Sequence, residues 1–282
     1  MIKSTKKLTV VICLICILTA AFCSGFAAAD ADTDYDTVPV YVNGVRAADG
    51  YELDGATYVP LRAFVTAVSR TATLAWDQDT QTASVTDDGL YFSAQLGARY
   101  VTANGRCLFV SNGVKNIGGS TYVTVDSLAA AYGAEVLCDE EAGFVNVDVG
   151  NDPPLPIESG DSYYNAEDLY WLSHLIYSES GNQPLEGMIA VGNVVLNRTE
   201  NTLFPDSIYG VVSQKGQFDV FTAGTIYAEP NALSVVAAKL CLEGVTMVDD
   251  ALFFVNPASG GDTWFRANLT YIASIQDHDF YA

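Results

Sequence analysis

Apolar positions follow two different periods along this chain, and the change falls near residue 150. Before it, runs such as Thr82-Ala-Ser-Val-Thr86 and Phe144-Val-Asn-Val-Asp148 alternate apolar and polar residue by residue, as a strand with one buried face does. After it, apolar residues recur every three or four positions. Leu169, Leu172, Leu175 and Ile176 mark one stripe, Met188, Val191 and Val195 a second, and Val235, Ala238 and Leu242 a third. These stripes predict a helix capped by Asn165 and running through Glu179, one opened by Pro184 and running to Arg198, and one begun by Pro230 and ended by Gly244. A shorter helix follows Phe204-Pro-Asp-Ser-Ile208 as far as Ser213. The run Ala251-Leu-Phe-Phe-Val-Asn-Pro257 predicts a buried strand entering a turn, while Thr263-Trp-Phe-Arg266 and 269–275 predict a closing strand pair. The expected class is α+β: a small two-repeat α+β module linked to a mainly helical α+β domain.

The first region repeats itself. Asp54-Gly-Ala-Thr-Tyr-Val59 recurs as Gly118-Gly-Ser-Thr-Tyr-Val123, and each copy runs into a short helical stretch. Strands ending in Asp follow, Thr73-Leu-Ala-Trp-Asp77 and Glu135-Val-Leu-Cys-Asp139, and the lead-ins Val42-Asn-Gly44 and Ala103-Asn-Gly105 also match. Two βαββ-like units in one domain account for this pattern. The Pro-rich, acidic stretch 150–163 is the expected linker. The boundaries read as a signal peptide over 1–29, a repeat module over 38–149, the linker, and a second domain over 164–282.

The leader changes what the composition means. Lys3, Lys6 and Lys7 precede an apolar run from Leu8 to Phe22, and Ala27-Ala28-Ala29 offers a small-residue cleavage site. The expectation is a secreted chain, extracellular or wall-associated, with no stable membrane anchor after cleavage. Losing three lysines and no acid takes the net charge from −21 to −24, which disfavours binding to nucleic acid or an anionic membrane. Cys107, Cys138 and Cys241 remain, at no metal-ligand spacing; Cys107–Cys138 is the expected pair if a disulfide forms, and Cys241 reads as a buried thiol.

Glu179 is the candidate acid. It lies seven residues after Leu172, four after Leu175 and three after Ile176, so a carboxylate ends an apolar stripe just before a Gly. Desolvation there raises a carboxyl pKa toward the range useful to a general acid. A helix-end Glu exposed by fraying, or salt-bridged inside, fits the same pattern. No metal or other cofactor is expected: between Asp30 and Ser173 there is no His, and His174 and His278 form no zinc motif. A zinc amidase or endopeptidase is disfavoured on that ground, and a Cys–His hydrolase would need Cys241 to leave a buried helix. Asp206, Asp219 and Glu186 are the available second carboxylates, and Glu186 sits where a helix dipole alone explains it.

Two resemblances add to these readings. Tyr58-Val-Pro-Leu-Arg62 and Leu74-Ala-Trp-Asp77 resemble the repeated extracellular module known as the copper amine oxidase N-terminal-like domain, with a second copy reduced to Tyr122-Val-Thr-Val-Asp126. Without His it implies no copper site here; wall attachment, spacing or support of its neighbour is the expected role. Ile176-Tyr-Ser-Glu-Ser180, Gly187-Met-Ile-Ala-Val-Gly-Asn-Val-Val-Leu-Asn-Arg198, Phe204-Pro-Asp-Ser-Ile208, Gly216-Gln-Phe218, Glu229-Pro-Asn231, the stretch to Asn-Pro257 and His278-Asp-Phe280 resemble the catalytic domain of spore-cortex-lytic-type cell-wall hydrolases. That resemblance implies a lysozyme-like domain acting on peptidoglycan glycan strands, with Glu179 as acid. It implies a lytic transglycosylase cutting after N-acetylmuramic acid; a two-carboxylate muramidase, an amidase, or a wall-binding protein without activity are the alternatives. Gln217 and Asn256 are candidate hydrogen-bond donors to substrate and Phe218 a candidate sugar platform, with loop-structuring roles equally open. Departures are Ser180-Gly-Asn-Gln183 after the acid and Val255 where the family tends to place an aromatic. Nothing in the sequence speaks to oligomeric state.

Overall fold

The computed structural model describes residues 35–139, 141–150, 155–260 and 262–282. The expected signal peptide, 1–29, lies outside them. Among the described residues no helix is long and apolar enough to cross a membrane.

The first module is two antiparallel-rich sheets built from twelve strands and two helices. In order these are β1 (Thr37–Val42), β2 (Val45–Leu53), β3 (Ala56–Pro60), α1 (Leu61–Val68), β4 (Thr73–Asp77), β5 (Thr82–Asp87), β6 (Leu90–Gln95), β7 (Tyr100–Ala103), β8 (Arg106–Phe109), β9 (Lys115–Ile117), β10 (Ser120–Thr124), α2 (Val125–Ala131), β11 (Glu135–Asp139) and β12 (Phe144–Asp148). One sheet runs β11-β12-β1-β2-β3-β10-β9 and the other β4-β5-β6-β7-β8. The repeat is present, β3-α1-β4-β5 against β10-α2-β11-β12, but the copies do not form side-by-side units. The hairpin of the second copy pairs parallel with β1, Val40 opposite Val145, whereas the hairpin of the first copy continues through β6 into the second sheet. The facing strands β3 and β10 join the copies, with Val59 opposite Val123. One core of Val40, Tyr58, Phe64, Val85, Phe92, Val123, Leu128 and Val147 therefore serves both copies. Neither copy closes a core by itself.

The second domain is mainly helical. It comprises α3 (Gly160–Tyr163), α4 (Ala166–Ser180), α5 (Leu185–Glu200), α6 (Ile208–Val212), α7 (Asp219–Ala223), α8 (Ala232–Leu242), β13 (Phe253–Val255), α9 (Asp262–Asn268), β14 (Tyr271–Ile275) and β15 (His278–Tyr281). Asn165 caps α4 through Glu167 N and Asp168 N, at 2.9 and 3.1 Å. Helices α4, α5 and α8 pack on one another, and α5 is buried on nearly every side rather than along one stripe. Gly192 makes this possible: a Cβ there would sit 2.6 Å from Cys241 Sγ and 3.0 Å from Ile176 Cδ1. The polar members of α5 then act at a distance. Asn193 holds Val245 O and Met247 N at 2.8 Å each, Asn197 donates to Val248 O and Ala251 O, and Arg198 Nε donates to Leu252 O at 2.7 Å. This clamp guides the chain into β13, the edge of a three-stranded sheet with β15 in its centre.

Three expectations are corrected. Thr263-Trp-Phe-Arg266 is helical, within α9, where an i,i+4 pair of Arg266 with Asp262 at 2.9 Å adds support and tertiary context overrides the strand preference of Thr, Trp and Phe. The strand partner of β14 is β15 instead. Cys107 and Cys138 are both free: Cys107 is buried on β8, Cys138 is exposed on the β11 edge of the other sheet. The described part of the expected linker is not slack. Ile157 N donates to Ala131 O and Gly160 N to Asn104 O, while Asn104 Nδ2 returns to Ile157 O.

The two regions share an interface. Cys107 lies in the helical domain's core, with Tyr100 and Phe109 packed against it. Beside it, Glu243 at the end of α8 accepts from Arg106 through both carboxylate oxygens and from Tyr164 Oη at 2.6 Å. Tyr164 Oη in turn accepts from Cys107 N, Lys239 Nζ reaches Gly105 O at 2.7 Å, and Arg99 pairs with Glu186. Glu186 is thereby committed to the interface. Both Arg106 and Glu243 are largely buried, so removing one leaves the other's charge without a partner. Glu243→Ala is expected to lower stability by about 3–5 kcal/mol in urea unfolding, with part recovered when Arg106→Met accompanies it. A single change costing nothing would show that the modules are not joined this way.

Candidate functional site

Glu179 stands at the last turn of α4, half-buried, where α7 and the 3-10 turn Thr225–Tyr227 pack against the helix. The turn is tied down by Ser178 Oγ donating to Thr225 O at 3.3 Å. Past the helix, Gly181 keeps a right-handed conformation, φ −62°, so its role is space and not a left-handed twist. A Cβ there would meet Tyr177 O at 2.5 Å. Asn231 Nδ2 holds Gly181 O at 2.9 Å, and Gln183 Nε2 holds Asp277 Oδ2 at 2.7 Å. The loop that leaves Glu179 is thus fastened to the start of α8 on one side and to the β14–β15 turn on the other.

The environment acts on Glu179 as a general acid requires. Burial of the carboxyl penalises its charged form, and Asp219 at the start of α7 adds like-charge repulsion, so its pKa is pushed up to about 7. Among the described residues no group hydrogen-bonds or ion-pairs with its side chain. The bland alternatives, a salt-bridged or frayed end, do not describe this geometry.

The other candidates separate. Gln217 is exposed in the loop before α7, free to face a ligand. Asn256 accepts from Ala258 N at 2.9 Å through Oδ1, which caps the 3-10 turn Pro257–Ser259. Phe218 is corrected: it is only 4 % exposed, packed in the core between Arg198 and Phe254, and cannot serve as a sugar platform. The residue belongs to a cage of Phe204, Phe218 and Phe253 around the buried Arg198 guanidinium, whose pKa burial lowers to about 10. An aromatic surface that the sequence reading missed takes its place. Trp171, eight residues before Glu179, packs with Tyr209, Phe221 and Tyr227 at centroid distances of 5.1–6.2 Å, and Tyr209 and Tyr227 are exposed. These residues come from α4, α6, α7 and a 3-10 turn, so no local motif announces them.

His174 is a packing residue: its Nδ1 meets Tyr170 O at 2.8 Å and its ring stacks on Tyr170. His278 is buried on β15 against Phe254, and desolvation lowers its pKa. Asp206 is exposed. Among the described residues no group of three His, Cys, Asp or Glu could hold a metal ion.

The pH dependence of stability follows from Glu179. Its folded pKa, about 7, lies above its value in the unfolded chain, so the folded state binds the extra proton between the two. Stability contributed by the protonated form is present at low pH and is lost as pH rises through 7. Glu179→Gln is therefore expected to raise the melting temperature at pH 8 and leave it nearly unchanged at pH 4, read by calorimetry. An equal shift at both pH values would contradict the raised pKa.

Comparison with known proteins follows the division at residue 150. Residues 182–281 match the Cell Wall Hydrolase family model, and residues 41–147 match the Copper amine oxidase N-terminal domain. The first match begins three residues beyond Glu179. The spore cortex-lytic enzyme of Oceanobacillus iheyensis is 32 % identical over 127 residues, 44 % of this chain and 45 % of that one. That of Bacillus subtilis is 31 % identical over 101 residues, 36 % of this chain and 33 % of that one. The chain thus spans less than half the length of these curated relatives. Among solved structures, the catalytic domain of the germination-specific lytic transglycosylase SleB from Bacillus anthracis is 28 % identical, with a TM-score of 0.40, covering 45 % of this chain and 100 % of that one. The chain carries a cell wall hydrolase domain in its C-terminal half, preceded by a copper amine oxidase N-terminal domain.

Proposed function

We propose that the chain cleaves peptidoglycan glycan strands as a lytic transglycosylase, with Glu179 as its single acid and base. The observation that carries this reading is a desolvated carboxyl, pKa about 7, with Asp219 near it, on a helix whose Trp171 packs with the exposed Tyr209 and Tyr227. Such a group is protonated enough to donate and basic enough to accept near neutral pH. Glu179 gives its proton to the glycosidic oxygen beyond N-acetylmuramic acid as the C1–O bond breaks. The carboxylate then takes the proton of that sugar's 6-hydroxyl, whose oxygen attacks C1 and closes a 1,6-anhydro ring. The acid is restored and no water is consumed. In this reading Asn256 and Gln217 serve as donors to the N-acetyl group or the developing charge, and Tyr209 and Tyr227 as the sugar-facing rings. This reading goes with a secreted or wall-associated chain, since peptidoglycan lies outside the cell membrane.

A two-carboxylate hydrolase is the second reading, because Asp219 does lie beside Glu179. The inverting and retaining schemes give Asp219 a direct part, whereas here it acts on Glu179's pKa. Glu179→Gln is expected to abolish dye release from labelled peptidoglycan while wall binding persists. Asp219→Asn should keep substantial activity and move the alkaline limb of the pH–rate profile to lower pH, since the repulsion that raises Glu179 is gone. Asp206→Asn should behave as wild type. Mass spectrometry should find muropeptides lighter by one water than hydrolysis products. Reducing-end muramic acid alone, with Asp219→Asn as dead as Glu179→Gln, would establish the hydrolase instead. Cleavage should also persist in a chelator; loss restored by zinc would return the amidase reading.

A further inference from the structure

The first module holds a cleft of about 210 Å³ that the proposed chemistry does not use. Its walls come from both copies of the repeat. Arg62 lies in the first turn of α1, Leu74 and Trp76 lie on β4, and Ser120 and Thr121 start β10 after the Gly118-Gly119 turn. Trp76 is 45 % exposed, and its indole N–H is held by Gln78 Oε1 at 3.0 Å, which fixes the ring's orientation before any ligand arrives.

The two copies differ at this cleft. In the matching positions of the second copy, Arg62 is replaced by Asp126 and Trp76 by Cys138, although the surrounding βαββ framework is kept. The indole and the cation thus belong to the first copy alone, whose hairpin runs into the five-stranded sheet while that of the second pairs with β1. Charge also sets this cleft apart. The chain carries 34 acidic residues against 13 basic ones, yet no carboxylate lines this cleft, and among the described residues no acid pairs with Arg62. An exposed indole, an unengaged guanidinium and two hydroxyls form a combination that can receive a sugar ring with a carboxylate close by. The volume lies below the roughly 300–1,000 Å³ of a pocket that engulfs a whole small molecule, which suits one ring of a longer strand.

We propose that this cleft is a second saccharide site, holding one ring of a peptidoglycan strand against Trp76 with Arg62 on a carboxylate of the peptide that a muramyl residue carries. The ligand class rests on the functional reading above; the site itself rests on the cleft. It would keep the strand on the module while the helical domain cuts elsewhere.

The test is cosedimentation of the full chain carrying Glu179→Gln with insoluble peptidoglycan, so that the walls stay intact. The walls are stripped of teichoic polymers by hydrofluoric acid, because a phosphate could otherwise answer the same cation. Adding Trp76→Ala or Arg62→Gln should each weaken binding about tenfold, while Trp76→Phe retains most of it and Asp126→Ala in the second copy changes nothing. Circular dichroism checks that each variant is folded. Trp76→Ala and Arg62→Gln proteins that bind as the parent does would overturn the proposal. So would a parent that binds only unstripped walls, which would assign the cleft to a phosphate polymer. Cleavage by the chain with Glu179 intact is measured separately: if it fails while Trp76-dependent binding stands, the catalytic reading falls and the site remains.

Discussion

The close contact of α4, α5 and α8 at Gly192 is the constraint on which the helical domain depends. Three helices meet where a single Cβ would collide with both Cys241 and Ile176. Because α5 can approach both neighbours, its far side is free to clamp residues 245–252 through Asn193, Asn197 and Arg198. That clamp sets β13, and β13 presents Asn256. At the other end of the same contact, Leu175 and Ile176 fix the turn of α4 that carries Glu179. Both candidate substrate contacts are therefore aimed by one packing event, and a larger residue at 192 would disturb them together.

Polar side chains do the work between layers. Buried charges are costly unless paired, and pairing across an interface turns that cost into specificity of docking. Glu243 receives Arg106 and Tyr164 together, so the strand β8 of one module and the end of α8 in the other have only one satisfactory arrangement. Burial also pushes the Cys107 thiol up to about 11, which keeps it inert beneath that interface. The boundary between the modules is consequently an interior, held as firmly as a domain core at its centre.

At Glu179 the same physics is left unpaid. Its carboxyl is desolvated and faces Asp219 without a compensating cation among the described residues, so the fold carries a local instability at neutral and higher pH. A buried Arg198 shows the contrast. It too is desolvated, but three aromatic rings and Leu252 O surround it. One group is stabilised in place and the other is kept ready to exchange a proton.

Local pattern was enough for much of this. Helical spacing and an Asn165 cap place α4 and bring Glu179 to its end; two similar segments reveal the repeat; the switch of period near residue 150 divides the chain. These features depend on neighbours within a few residues, which sequence displays directly. The rest depends on which distant segments share space. The repeats interlock because β12 pairs with β1, a choice made by 100 residues of separation and not by either strand's alternation. Residues 263–266 became helical because tertiary context overrode their strand preference, with an Asp262–Arg266 pair in support. Phe218 looked like a loop tip and is core, packed against Arg198, and the aromatic cluster of Trp171, Tyr209, Phe221 and Tyr227 draws on four separate elements. Sequence by itself displayed most of the elements, the change of period and the candidate acid; only the tertiary structure decided that residue's surroundings, since desolvation and like-charge proximity are properties of the space between chain segments.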